Sequence, residues 1–269
     1  MGVRSTSNHP LTTKADGHLL EYFRQNFGAG GGAASPIIPQ GITATGGIIS
    51  DYSEPGGDVY RSHVFTTSGE FDVTALGTFG NTVDYLVVAG GGGGSDRGNG
   101  CGGGGAGGLL SSHPDVPSPR RQTGFTAAIR TYTMTVGAGG LAGAEGVPSG
   151  PRLNRGENGS SSSITYPGPN TVVTTTGGGA GGQGNTGGAQ GSDGGSGGGS
   201  DNPASSGGAG TNYPGPTQQG FPGGNCNPPQ NGGGGGGGAG GAGGDCNGTS
   251  GSAGGIGLRV RIAGPNNDG

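Results

Sequence analysis

Charge is scarce in this chain. Lysine, arginine, aspartate and glutamate together make up 10% of its 269 residues, and the formal net charge is −4. There is one lysine, Lys14, and the eleven arginines are dispersed, so no basic stripe exists to neutralise a phosphate backbone. Nucleic-acid binding is not expected. Long apolar runs are missing too: none approaches the ~18 residues of a membrane-spanning helix. The opening MGVRSTSNHPLTTKADG carries no hydrophobic segment of the secretory-signal kind. The expectation is a soluble chain made in the cytoplasm, without membrane insertion. Cysteine is rare and odd in number. Cys101, Cys226 and Cys246 lie apart in glycine-rich stretches and form no CxxC pair, so neither a zinc site nor a disulfide framework is expected. A single Cys226–Cys246 pair stays open.

Enzyme signatures fail in the same way. No GKS or GKT exists, and Lys14 lies outside the glycine runs, which excludes a P-loop. In so glycine-rich a chain GxGxxG arises by chance and says nothing about dinucleotides. GGAQGSD at 187–193 lacks the GGxGxD spacing of calcium-binding nonapeptides. His63 and His113, with Asp58 and Asp115, can be drawn as acid–base pairs, but no nucleophile signature accompanies them. No catalytic residue, cofactor or metal is assigned, and the chain is not expected to be an enzyme.

What is abundant is glycine, 76 residues, with 18 prolines. Together they exceed the roughly 25–30% at which a chain without a strict period is called low-complexity. Disordered chains, however, usually add strong self-repulsion to low hydrophobicity, and that is absent here. The hydrophobic 27% clusters in the first 175 positions and the last dozen, enough for one small core.

The chain divides accordingly. Residues 1–27 read as an anchor segment, with a short helix over 17–27: Asp16 caps it, Gly28 stops it, and Leu19, Leu20, Phe23 and Phe27 share one face. Residues 28–41, GAGGGAASPIIPQG, read as a Gly/Pro linker, 42–262 as a glycine-rich β domain and 263–269 as a polar tail. Alternating runs at 59–67, 70–76 and 83–89 predict half-buried strands, followed by strands at 131–136, 162–166, 171–176 and 256–262. In the last, Ile256, Leu258, Val260 and Ile262 fall on one face and Arg259 and Arg261 on the other.

Between Gly177 and Gly255 the large apolar side chains are Tyr213 and Phe221, so a side-chain core cannot form there. Glycines at 178, 181, 184 and 187, then 188, 191, 194 and 197, keep a three-residue period with a slip, and such slips rule out collagen. The expectation is a mainly β protein: a small antiparallel β-sandwich joined to a polyglycine-II-type helix bundle, with a short N-terminal helix.

YLVVAGGGGG at 85–94, GGGGAGGLL at 102–110, YTMTVGAGG at 132–140, NGSSSSI at 158–164 and GGIGLRVRI at 254–262 occur in order, separated by Gly/Ala/Ser/Asn runs. In that order they resemble the glycine-rich domain of bacteriophage virion proteins, chiefly tail fibres and their distal adhesins. The resemblance covers roughly residues 41–262. It implies a stack of polyglycine II helices whose loops carry receptor specificity. It also implies a location in the virion, assembly in the host cytoplasm, other virion proteins held through the N-terminal segment, and a homotrimer. The chain is short for a whole fibre, and AGPNNDG at 263–269 departs from the pattern.

Loops at 95–101, 111–123, 149–158 and 211–231 interrupt the glycines with Arg, Pro, Tyr, Phe, Asn and Gln, residue types that recognition loops favour. The receptor-binding candidates are Arg97, Arg120, Arg121, Tyr213 and Phe221. Tyrosine can stack on sugar, and arginine can pair with carboxylate or phosphate. Their expected partner is a host surface glycan or an outer-membrane protein. A capsid decoration or head-fibre protein, with Leu19 to Phe27 on the shell, and a polyglycine-type ice-binding protein are the alternative readings.

Overall fold

The computed structural model describes residues 40–263 apart from 54–57, 79, 97–99, 145–154, 169, 185–189, 202–204, 214, 216 and 228–231. The helix expected at 17–27 and the linker before Gln40 lie outside the described residues. No described residue is helical, and the protein is mainly β.

Its strands are β1 (Thr43–Thr45), β2 (Ile48–Ser53), β3 (Val59–Val64), β4 (Gly69–Ala75), β5 (Thr82–Val83), β6 (Leu86–Val88), β7 (Leu109–Ser111), β8 (Phe125–Thr126), β9 (Arg130–Thr135), β10 (Ser162–Tyr166) and β11 (Asn170–Thr175). A five-stranded sheet runs in the order β1-β4-β9-β10-β11, and β2-β3, β5-β8 and β6-β7 form separate two-stranded pairs. Every named pairing is antiparallel.

Period-two alternation decides which face is dry. In β4, Phe71 and Val73 are buried while Glu70 and Thr74 are exposed. Tyr132 of β9, Ile164 of β10 and Val173 of β11 continue the buried face, and Tyr85, Val87 and Leu110 from the β6–β7 layer close over it. Tyr132 is the hub: its ring lies 5.2 Å from Phe125, 5.8 Å from Tyr166 and 6.2 Å from Phe71, and its hydroxyl accepts the Ala128 amide at 2.9 Å. Burying side chains of this size stabilises the fold by ~1.5–3 kcal/mol each.

Past the strand ends the core changes material. Residues 177–182, 194–200 and 232–238 are buried, yet they are almost all glycine. The helix bundle expected there is absent as regular helix among the described residues. Instead, extended segments bond to one another through their backbones, and the bonds recur every third residue. Gly102, Gly105 and Gly108 donate to the carbonyls of Gly182, Gly179 and Thr176 at 3.2, 2.8 and 2.9 Å. One residue on, Gly103 and Ala106 donate to Gly234 and Gly237 at 3.0 and 2.9 Å. The carbonyls of Gly102 and Gly105 accept from Ser95 and Gly92. One segment thus serves several neighbours in different directions. A buried amide left unpaired would cost about 1–3 kcal/mol, so these bonds are what permits a core without side chains.

The strand expected at 256–262 does not form. Its alternation survives as exposure, with Leu258, Val260 and Ile262 half-buried and Arg259 and Arg261 exposed, but no ladder pairs it and Ile256 is 72% exposed. The segment passes first along glycine-rich chain, where Gly240 donates to the Ile256 carbonyl at 2.8 Å and Gly255 to that of Gly236 at 2.8 Å. Amphipathic alternation specifies an extended chain but not a free edge to pair with. The cysteine pair that the sequence leaves open is present: Cys226 and Cys246 form a disulfide with a Cα–Cα separation of 5.0 Å, while Cys101 stays a thiol. Nothing in their sequence spacing marks the pair, because the stack itself brings residues 20 apart into register.

Two outcomes follow from this packing. A methyl group at Gly178 would press into the backbone of Gly105 and Gly92, whereas one at Gly251 meets nothing within 4 Å. Gly178→Ala should destabilise by about 1–3 kcal/mol, while Gly251→Ala should stay within ~0.5 kcal/mol; thermal unfolding compares them. Replacing both Cys226 and Cys246 by Ser should cost about 3 kcal/mol, since the bridge closes a loop of moderate length in the unfolded chain. Denaturant titration of the two forms reads this difference.

Candidate functional site

The hydrogen-bond register sorts the loops by end. Ser95 donates to Gly102, Gly143 to Gly94, Gly102 to Gly182, Ser200 to Gly224, Gly235 to Gly244 and Ser252 to Gly233. Ser95, Gly143, Gly182, Ser200, Gly244 and Ser252 therefore lie towards the end of the stack far from the sheets. Isolated bridges Cys101–Gln183 and Ser205–Cys226, together with the disulfide, tie that end together. The chain enters at the opposite end. Gln40 and Thr78 exchange hydrogen bonds at 2.9 Å, Thr43 pairs with Ala75 and Val73 with Arg130, so the entry lies at the Arg130 end of β9. The other end of β9 continues into Gly137 and the stack.

The five receptor-binding candidates do not form one site. Arg97 lies outside the described residues. Arg121 is exposed, its backbone bridged to Ser111. Arg120, Phe221 and Tyr213, by contrast, meet beside the sheet-proximal end of the stack. The Arg120 guanidinium lies over the Phe221 ring at 5.1 Å, and the Tyr213 ring lies 5.3 Å from that of Phe221. Two separate loops supply these residues: 111–123 after β7, and 211–221 between glycine segments.

Arg120 is 5% exposed, and its Nε and Nη1 are sealed from solvent without a hydrogen-bond partner. Burial pushes the guanidinium below its ordinary pKa. Tyr213 is 42% exposed and Phe221 half-buried. Asn212 and Thr217 flank this loop with φ of 54° and 65°, the positive-φ non-glycine residues of the described chain, and Asn212 Nδ2 donates to Thr217 Oγ1 at 2.9 Å. Left-handed backbone in a β-branched residue is a strained arrangement that the surroundings must hold.

The adjacent carboxylate is committed elsewhere. Asp115 receives Nε and Nη2 of Arg261 at 2.9 and 2.8 Å, and the Arg261 amide at 3.0 Å. These hydrogen bonds hold its carboxyl well below the usual carboxylate range, with the nearby Arg261 and His113 charges acting in the same direction. His113 Nδ1 accepts the Asp115 amide at 3.2 Å, and His63 Nδ1 lies 2.7 Å from the Gly46 carbonyl, so both imidazoles serve local structure. The opposite charges of SSHPDVP and LRVRI are the trace this clamp leaves in the sequence, which does not by itself pair them.

A small antiparallel β core that continues into a backbone-bonded glycine stack defines a glycine-rich β protein. The chain belongs to the family of glycine-rich domains, whose family model matches residues 66–269. β1, β2 and β3 precede that match. No curated protein and no solved structure matches the chain.

The clamp has a pH signature. With its folded pKa depressed, Asp115 contributes stability that is complete above the unfolded value of about 3.9 and is lost as pH falls through the folded value. Asp115→Asn should remove that part of the acid-unfolding curve and speed hydrogen exchange at the Arg261 amide, as read by exchange mass spectrometry at neutral pH.

Proposed function

We propose that this chain is a structural protein of a bacteriophage virion, a tail fibre or distal adhesin that attaches by its N-terminal segment and presents loops to the host surface. The observation that carries this reading is the opposition of ends. Gln40 lies on one side of the sheet, and Ser95, Gly143, Ser200 and Ser252 lie at the far end of the stack on the other. A protein that must hold on at one end and touch at the other needs a stiff spacer between them. The three-residue hydrogen-bond period supports assigning that spacer to polyglycine-II-type helices, which have three residues per turn and bond to their neighbours. The Cys226–Cys246 disulfide suits an oxidising exterior, where such bonds persist. In this reading the protein acts without catalysis, assembles as a homotrimer, meets other virion proteins through residues before Gln40, and contacts a host glycan or outer-membrane protein through its loops.

One observation favours a second reading. The β2–β3 hairpin exposes Ile48, Tyr60 and Val64 on one face and Ile49 and Val59 on the other, apolar side chains suited to seating on a capsid shell. A decoration or head-fibre protein would use it together with the N-terminal segment.

Electron microscopy of purified phage particles, labelled with gold-tagged antibody against residues 177–255, separates the two. Gold at the tail is the expected outcome. Gold over the head would establish the decoration reading, and particles without gold would overturn both.

A further inference from the structure

The strongest unexplained group in the molecule is Arg120. A buried cation is ordinarily paired, because removing charge from water is costly. Arg120 is 95% buried by the complement of its 5% exposure, and no ion pair or side-chain hydrogen bond reaches it. Its nearest aid is the face of Phe221, a cation–π contact that offsets part of that cost and supplies no anion. The acid closest in sequence, Asp115, is clamped on Arg261, and Asp84 accepts the Ser112 hydroxyl at 2.7 Å. Nη2 is not one of the sealed atoms, so the guanidinium keeps an edge by which an anion can reach it.

We infer that Arg120, Phe221 and Tyr213 form a binding site for a carboxylate-bearing sugar, a hexuronate-type unit of an acidic polysaccharide. The Arg120 guanidinium receives the carboxylate. The half-exposed Tyr213 ring, braced against Phe221, stacks on the apolar face of the pyranose. The open Nη2 edge can donate a charge-assisted hydrogen bond to one carboxylate oxygen, and a single cation balances a single negative charge. A phosphate dianion would call for more donors than this site offers. Aromatic stacking with a fixed arginine is also a low-entropy way to hold a sugar, since both rings are already packed against each other. The strained backbone at Asn212 and Thr217 fits a loop whose conformation is set by a task and not by local preference.

The assignment deepens the attachment reading and rests on it for the ligand's source, a bacterial surface polysaccharide. The chemistry of the site can be tested apart from that source. Purified protein is titrated with glucuronate, with glucose and with inorganic phosphate, following the arginine Nε–H resonances by NMR and heat by calorimetry. Glucuronate alone should bind and shift one Nε–H signal. Arg120→Met, which keeps the aliphatic packing, should weaken it by at least about tenfold, the scale of one charge-assisted hydrogen bond. Tyr213→Ala, at a position 42% exposed, should weaken it several-fold with the shifted signal retained and the unfolding temperature checked alongside. Equal binding of glucose, or preferential binding of phosphate, overturns the proposal. So does the absence of glucuronate binding to wild-type protein whose unfolding temperature shows it intact. Glucuronate binding in a protein that never labels phage particles would leave this site standing and remove the attachment reading instead.

Discussion

Every buried amide in the glycine stack has to find its partner on another segment. That requirement shapes the rest of the molecule. In an ordinary core, side chains fill space and the backbone bonds within sheets or helices. Here no side chain is available, so the backbone is both filler and glue, and adjacent segments approach closely enough that a Cβ would collide with a neighbouring carbonyl. Where a longer residue does enter, its polar atom joins the network. Ser196 Oγ donates to Gly238 at 3.1 Å, and Ser200 Oγ to Gly224 at 3.2 Å. Segments of this kind gain nothing alone, because each amide is satisfied only when its neighbours are already present. Order in the stack is therefore collective.

Collective order needs a starting surface, and the β core supplies it. Glycine loses more conformational freedom on folding than any other residue, so a bundle of free glycine segments would begin at an entropic disadvantage. In this protein, segments enter the stack directly from β6, β9 and β11 or leave it into β7 and β10. Their first residues are aligned by strands whose own register is fixed by Phe71, Val73, Tyr132, Ile164 and Val173. The side-chain core thus does for the stack what a nucleus does for a helix: it removes the first and costliest alignment.

How much of this was legible depends on whether a side chain labels the position. The alternation in GEFDVTA, RTYTMT and SSITY marks the central strands because apolar residues recur at every second place. The short β7 and β8 carry two or three residues each and leave no readable period. Within the glycine runs, the three-residue spacing reveals the kind of bonding but not which run meets which, since one glycine looks like the next. For that reason the sequence does not mark the Cys226–Cys246 bridge, and the alternation at 256–262 predicts a strand where the chain joins no ladder. At the candidate site, loop composition picked out Arg120, Tyr213 and Phe221. Their convergence and the burial of Arg120 depend on the stack bringing residues 111–123 beside 211–221, and no local pattern contains that.

The same logic explains why chemistry can reside in this fold only at particular places. Inside the stack, a functional side chain would break the contacts that exclude water. On the outer face of the five-stranded sheet, Thr131 Oγ1 donates to Asp72 Oδ1 at 2.9 Å, a cross-strand pair that serves the sheet. Side chains gather where segments turn, at the far-end loops and at the proximal junction where the stack meets the β core. The proximal junction has the firmer support, for it borrows Val116, fully buried, and Ser111, whose hydroxyl donates to the Tyr85 carbonyl at 2.6 Å, from the side-chain core itself. A group such as Arg120 can be held there without a counter-charge because its surroundings are fixed by two structural systems at once. Positions able to hold a strained or uncompensated group should therefore lie where the two kinds of core adjoin, and that is where the uncompensated guanidinium is found.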